Sequence, residues 1–233
     1  MDTIHEIMLP AALSPESLGE LRGQLEVPLQ GVLVLRGGPE RFCTGLDLGG
    51  LEELPRQSQS FALQDFMACL MTLRRAAVPV VALVEGVALG GGLGLAAAAD
   101  YVLASPSARF GLPEVLFGLS PAMILPILEE RMTAQRVRRL GLAGASIDAS
   151  AAQAWGLVDE IADPPADALS RVVRSYRRAS SVGVQELKRH PHDVGRLTWG
   201  IEQGMRITQE ALDDPTVRAR LRRFLESEGL PWD

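Results

Sequence analysis

The chain is poor in the residues that most often announce a chemistry. It has two cysteines, Cys43 and Cys69, which form no paired framework and stand at no metal-ligand spacing, and its three histidines do not cluster with them. No metal site is expected. Long apolar runs are absent too: none reaches the roughly 20 residues that cross a bilayer. The opening MDTIHEIMLP lacks the basic and apolar regions of a signal peptide, so the sequence predicts a cytoplasmic protein without a membrane partner. Surplus cations are missing as well. A formal net charge of −6 argues against a nucleic-acid partner, because phosphate binding needs clustered positive charge. The basic runs at 136–139 and 174–178 read as solvated helix faces. Of 23 basic residues only Lys188 is lysine, a bias that carries no mechanism.

What the chain does have is an ordinary globular composition, 47% hydrophobic and 22% charged, over 233 residues, enough for one sizeable core. Its texture changes near residue 163. Before that point strand-like runs (31–35, 79–84, 101–103, 157–161) alternate with helical stretches, which predicts parallel βα units. After it only helical periodicity remains. The expected organisation is an α/β core over 1–163 and a helical C-terminal region over 164–233, with Pro164 and Pro165 at the boundary. QDFMACLMTLRR (64–75) predicts a helix ended by Val78-Pro79. DASAAQAWG predicts another, capped by Asp148 or Ser150 and closed by Gly156. Trp155 and the methionines at 67, 71 and 123 are expected in the core.

The stretch VEGVALGGGLGLAAAAD, 84–100, places three glycines between an apolar strand and an alanine-rich helix. Gly90, Gly91 and Gly92 allow positive φ and let a ligand approach without a Cβ in the way. The alanines start a helix there, so free N–H groups and the positive end of the helix dipole face the ligand. That suits a phosphate or an oxyanion formed during reaction. A linker is excluded by the apolar flanks, and a dinucleotide fingerprint fails at Leu95, where glycine would be required. A turn serving only close packing is the other reading of this loop alone. A second glycine loop, GPERFCTGLDLGGL, follows the strand GVLVLRG and places Gly45 in a tight turn. Two such loops on neighbouring strands can aim two backbone N–H groups at one carbonyl oxygen.

With these residues assembled, the chain resembles the crotonase (enoyl-CoA hydratase/isomerase) superfamily. FCTGLDL is similar to its F-x-x-G-x-D-L loop, EGVALGGGLGLAAAADYVLAS to its second loop and helix, and ARFGLPEVLFGLSP and ASAAQAWGLVDEI follow in the family order. The resemblance implies a β-β-α spiral core with a helical C-terminal region that forms a homotrimer. It also implies that the backbone N–H groups of Leu46 and Gly91 form an oxyanion hole for a thioester carbonyl, with Gly45, Gly90 and Gly92 shaping the loops. Family hydratases carry two catalytic glutamates. Here the first is replaced by Gly94 and the second falls on Glu114, which burial would tune as a general base or acid. Glu129 and Glu130 read as structural.

Within the superfamily, LFGLSPAMILPILEERM, GVQELKRH and the terminal GLPWD resemble the dehydratases of polyketide β-branching cassettes. The implied reaction is loss of water from 3-hydroxy-3-methylglutaryl on an acyl carrier protein, giving 3-methylglutaconyl thioester. No cofactor is expected beyond the phosphopantetheine or CoA that carries the acyl group. The alternatives are the cassette decarboxylase, a general enoyl-CoA hydratase/isomerase and a non-catalytic scaffold. The stretch from Ile4 to Leu25 reads as lacking the turn and helix that hold the adenine end of CoA, which favours a carrier-protein substrate.

Overall fold

A computed structural model describes residues 4–189 and 191–226. GLPWD and His190 lie outside the described residues. The chain runs β1 (Ile4–Met8), α1 (Pro15–Glu26), β2 (Val32–Arg36), β3 (Arg41–Cys43), α2 (Leu48–Glu53), α3 (Arg56–Arg75), β4 (Val80–Val84), β5 (Val87–Leu89), α4 (Gly91–Ala98), β6 (Tyr101–Ala104) and β7 (Arg109–Gly111). A 3₁₀ turn (Glu114–Phe117) follows, then α5 (Leu125–Arg131), α6 (Ala134–Ala143), β8 (Ser146–Asp148), α7 (Ala149–Trp155), β9 (Glu160–Ile161) and the helices α8 (Pro165–Tyr176), α9 (Ser181–Lys188), α10 (Pro191–Asp213) and α11 (Pro215–Glu226).

The strands form two sheets, β1-β2-β4-β6-β9, all parallel, and β3-β5-β7-β8, in which only β8 is antiparallel. The apolar runs of β2 and β4 are buried on both faces, as parallel strands covered on both sides must be. Leu33, Leu35, Val80, Ala82 and Val84 join the main core, while Val32, Val34 and Val81 pack against Val172 and Val173 of α8. Each winding leaves the first sheet, contributes one short strand to the second and returns: β2 to β3, β4 to β5, β6 to β7. The α/β expectation holds, with the β-β-α spiral made explicit by the second sheet.

That second sheet is what the apolar pattern did not show, since β3, β5 and β7 are each three residues long. The first glycine loop therefore leaves β3, and the triplet leaves β5. The N-terminal expectation needs correction. A strand and a helix are both present, and Ser14 caps α1 by accepting from the Ser17 N–H. The helix buries Leu18, Leu21 and Leu25 against the core, a spacing interrupted on the outer face by Gly19 and Gly23. With the helix in place, only the shortened turn between β1 and α1 distinguishes this segment, and it no longer favours a carrier-protein substrate.

Asp148 supplies the cap of α7, accepting from the Ala151 N–H, and Gly156 closes that helix at φ +91°. Met71 and Met123 are buried, Met67 and Trp155 pack against the core, and Arg139 sits 5.7 Å from the Trp155 ring centre. Glu130 pairs with Arg74 at 2.6 Å. Helices α10 and α11 place Leu197, Ile201, Leu212, Val217 and Leu221 in the same core as the strands. No helix among the described residues is long and apolar enough to cross a membrane.

The chain's one lysine has a structural task. Lys188 Nζ lies 2.6 Å from Asp100 Oδ2 and donates to the Val78 carbonyl at 3.0 Å, while the same Asp100 oxygen accepts from the Val80 N–H. Burial lowers the ammonium's pKa and Asp100 opposes that shift. Lys188→Ala leaves Asp100 without its cation and is expected to destabilise the fold by about 3 kcal/mol. A urea titration with an unchanged m-value checks this.

Candidate active site

The loop Thr44–Asp47 is held on one side by the segment after β1. Thr44 N–H donates to the Ala11 carbonyl, Leu13 N–H to the Gly45 carbonyl and Asp47 N–H to the Leu13 carbonyl, at 2.7 to 2.9 Å. Leu13 and Leu46 form a parallel bridge. Because Gly45 C=O and Asp47 N–H both turn toward Leu13, the Leu46 N–H faces the opposite side, toward the neighbouring loop. Asp47 then starts α2, its carboxylate accepting from the Gly50 N–H.

The second loop is set by Gly90, whose φ of +50° turns the chain from β5 into α4. Gly91 opens that helix and has no carbonyl one turn back to receive its N–H. Among the described residues neither the Leu46 nor the Gly91 N–H donates to a protein acceptor. The two loops nearly touch. A Cβ placed on Gly45, at φ +86°, would stand 2.7 Å from Gly91 N and 3.0 Å from the Leu89 carbonyl oxygen. Cys43 stiffens the first loop from beneath: its thiol accepts from the Gly45 N–H at 3.4 Å, and burial pushes it up to about 11, so it stays protonated and unreactive.

Glu114 is the first residue of the 3₁₀ turn. Leu119 N–H and the N–H of Gly118, itself at φ +81°, close that turn on the Glu114 carbonyl. The residue is half-buried, but its carboxyl is enclosed, with Oε2 shielded from solvent and unpartnered among the described residues. Oε1 hangs over the second loop, where a Cβ on Gly90 would meet it at 2.7 Å. Desolvation raises the carboxyl to about 7, against a smaller opposing pull from its own backbone N–H.

Leu46, Gly90, Gly91 and Glu114 line one cavity of about 610 Å³. Gly45 and Gly92 lie behind its wall as spacers; a Cβ on Gly92 would come 2.1 Å from the Cys43 carbonyl oxygen. The structure thus brings all six sequence-predicted site residues to one place. It adds residues that sequence reasoning missed. Phe66 of α3 supports Gly91, its ring 3.0 Å from where a Cβ would stand. Ile124 closes the position of the absent glutamate, since a Cβ on Gly94 would meet Ile124 Cγ2 at 2.3 Å. Phe117, Leu119, Met123, Ile124 and Leu221 form the buried wall, and Thr208 and Phe224 join from α10 and α11. The helical periodicity of the last segment was legible, but nothing in it signalled that two helices reach back to the cavity.

Such an arrangement can bind a thioester carbonyl between two N–H donors and move one proton at the adjacent carbon through one carboxylate. Among the described residues no group of three or more His, Cys, Asp or Glu is placed to hold a metal ion.

Comparison with known proteins agrees with this geometry. The family model described as enoyl-CoA hydratase/isomerase matches residues 11–232. The bacillaene synthase dehydratase PksH of Bacillus subtilis (strain 168) is 29% identical over 239 residues, covering all of this chain and 88% of that protein. The mevalonyl-coenzyme A hydratase sidH of Aspergillus fumigatus is 35% identical over 133 residues, 57% of this chain and about half (49%) of that protein. The crystal structure of the Bacillus subtilis polyketide biosynthesis enoyl-CoA hydratase pksH superposes with a TM-score of 0.85 at 24% identity, over 98% of this chain and 95% of that one. An α/β spiral of this topology, two facing glycine loops and a family match spanning nearly the whole length lead to one conclusion: the chain belongs to the enoyl-CoA hydratase/isomerase family of crotonase-fold enzymes.

Proposed function

We propose that the protein is a dehydratase acting on a β-hydroxyacyl thioester, 3-hydroxy-3-methylglutaryl on the phosphopantetheine arm of an acyl carrier protein, and that it releases 3-methylglutaconyl thioester. The observation that carries the reading is that, among the described residues, one enclosed carboxyl, Glu114, lines the same cavity as Leu46 and Gly91, while Ile124 fills the space beside Gly94 where a second acid would stand. In this reading the Leu46 and Gly91 N–H groups hold the thioester oxygen. Glu114 as carboxylate takes the C2 proton, leaving an enolate that the two donors stabilise. The enolate electrons then form the C2–C3 double bond as the C3–O bond breaks. Glu114 returns its proton to the departing hydroxyl, so water leaves and the carboxylate is regenerated. A syn elimination follows from one group serving both steps on one face.

The relatives support this substrate class. A dehydratase of a polyketide synthase is similar to the chain over its whole length, and a mevalonyl-CoA hydratase handles a 3-hydroxy-3-methyl acyl chain of the same branching. The carrier protein is taken as partner, CoA being the other carrier of the same thioester. The working unit is proposed to be a homotrimer, and no cofactor enters the proton transfers.

Intact-mass spectrometry of 3-hydroxy-3-methylglutaryl carrier protein tests the proposal: the wild type is expected to remove one water and Glu114→Gln none. Loss of carbon dioxide instead, or no change with the wild type, overturns it. Because the base must be ionised, kcat/KM should rise with pH through an inflection near 7. Stability runs the other way. The folded carboxyl holds its proton to about 7 and the unfolded one to about 4.5, so the fold is penalised as pH rises through that window. Thermal melts should show Glu114→Gln gaining on the wild type by up to about 3 kcal/mol between acid and neutral pH. Gly45→Ala pushes a methyl against Gly91 N and is expected to lower kcat roughly 10²- to 10³-fold in a steady-state assay.

A further inference from the structure

The cavity's charges are unevenly distributed. Among the described residues its lining includes three carboxyl groups, Glu40, Asp47 and Glu114, and one guanidinium, Arg41. Glu114 belongs to the enclosed part, and Asp47 is engaged in capping α2. Glu40 and Arg41 are exposed, which places them at the rim. Arg41 opens β3, the strand that runs directly into Gly45 and Leu46, and it pairs in register with Val87, another lining residue. Most arginines near the core are committed: Arg131 to Asp159 and backbone carbonyls, Arg74 to Glu130, Arg36 to Glu6 and Glu85, Arg222 to Glu52. Among the described residues Arg41 has neither an ion pair nor a side-chain hydrogen bond.

A negatively charged ligand entering this space meets three carboxyl groups and an apolar wall, and would be disfavoured at each of them. We infer that Arg41 is the specificity residue of the cavity, an anion receptor at the rim whose guanidinium donates in bidentate fashion to an anionic group of the substrate. Its planar fork of donors matches a carboxylate or a phosphate, which a neutral rim would reject. The inference rests on the thioester reading above, in which two anionic groups travel with the ligand: the distal carboxylate of the acyl chain and the phosphate of the phosphopantetheine arm. The shared chemistry is an oxyanion carried beyond the thioester. Arg41 moves no proton and leaves the elimination to Glu114.

The test uses unreactive ligands, so that it stands apart from turnover. Calorimetric titration of the wild type and of Arg41→Met compares 3-methylglutaryl-pantetheine, which has a carboxylate, with 3-methylbutyryl-pantetheine, which has none, and with 3-methylbutyryl-phosphopantetheine. The wild type is expected to bind the carboxylate ligand roughly 10- to 100-fold more tightly than its neutral counterpart, with that preference lost in Arg41→Met and partly kept in Arg41→Lys. If the preference lost is the one for phosphopantetheine over pantetheine, the anion site stands and its ligand is the arm. Equal binding of all three ligands by the wild type overturns the inference, as does an equal weakening of all three by Arg41→Met, which marks the residue as structural. Failure of the dehydration assay with these preferences intact would overturn the proposed reaction and leave Arg41 as an anion receptor.

Discussion

The contact on which the site depends is made by two stretches of backbone that lie too close for side chains. Gly45 and Gly91 meet at a distance that a single methyl would violate, and Gly92 backs onto the Cys43 carbonyl in the same way. This closeness is what brings the Leu46 and Gly91 backbones, from the loop after β3 and the start of α4, to one cavity. Everything around it serves to keep the loops there: the bonds from Ala11 and Leu13, the Cys43 thiol, the Phe66 ring and the start of α4. A hydrogen-bond donor fixed in advance needs no reorganisation when charge develops on its partner, and in the proposed reaction that is how rigidity here would translate into rate.

The second constraint is a conflict between folding and chemistry. Glu114 Oε2 is shielded from solvent, and desolvation of the carboxyl disfavours its charge at neutral pH. The fold tolerates the penalty because the 3₁₀ turn is tied down independently, by Gly118, by α6 through Leu116 and by α11 through Val217 and Phe224. For the proposed reaction this leaves Glu114 a proton acceptor poised near neutrality. The Lys188–Asp100 pair shows the opposite use of a buried charge: the cation is partnered by a carboxylate and a backbone carbonyl, neither residue lines the cavity, and the pair ties the end of α9 to the start of β4.

Much of this was legible in the residues themselves. Positive φ at Gly45 and Gly90 follows from glycines placed between strand and helix signals, and the stop at Gly156 from the same reasoning. The long buried runs of β2 and β4 could be read as parallel strands. Three-residue strands could not, because a period of two needs more than three positions to show. Helix α1 is masked in the sequence for a related reason: its three leucines are correctly spaced, but two glycines dilute the helical signal between them.

The sequence by itself determined the ordered glycine loops, the surviving glutamate and the missing one, since each is a matter of which side chain is present or absent. Only the tertiary structure decided what stands where the missing glutamate would be, how far Glu114 is desolvated, and that α10 and α11 complete the wall. These depend on distances between segments remote in the chain. Ile124 lies thirty residues from Gly94 and Leu221 more than a hundred from Glu114, and only packing sets those separations.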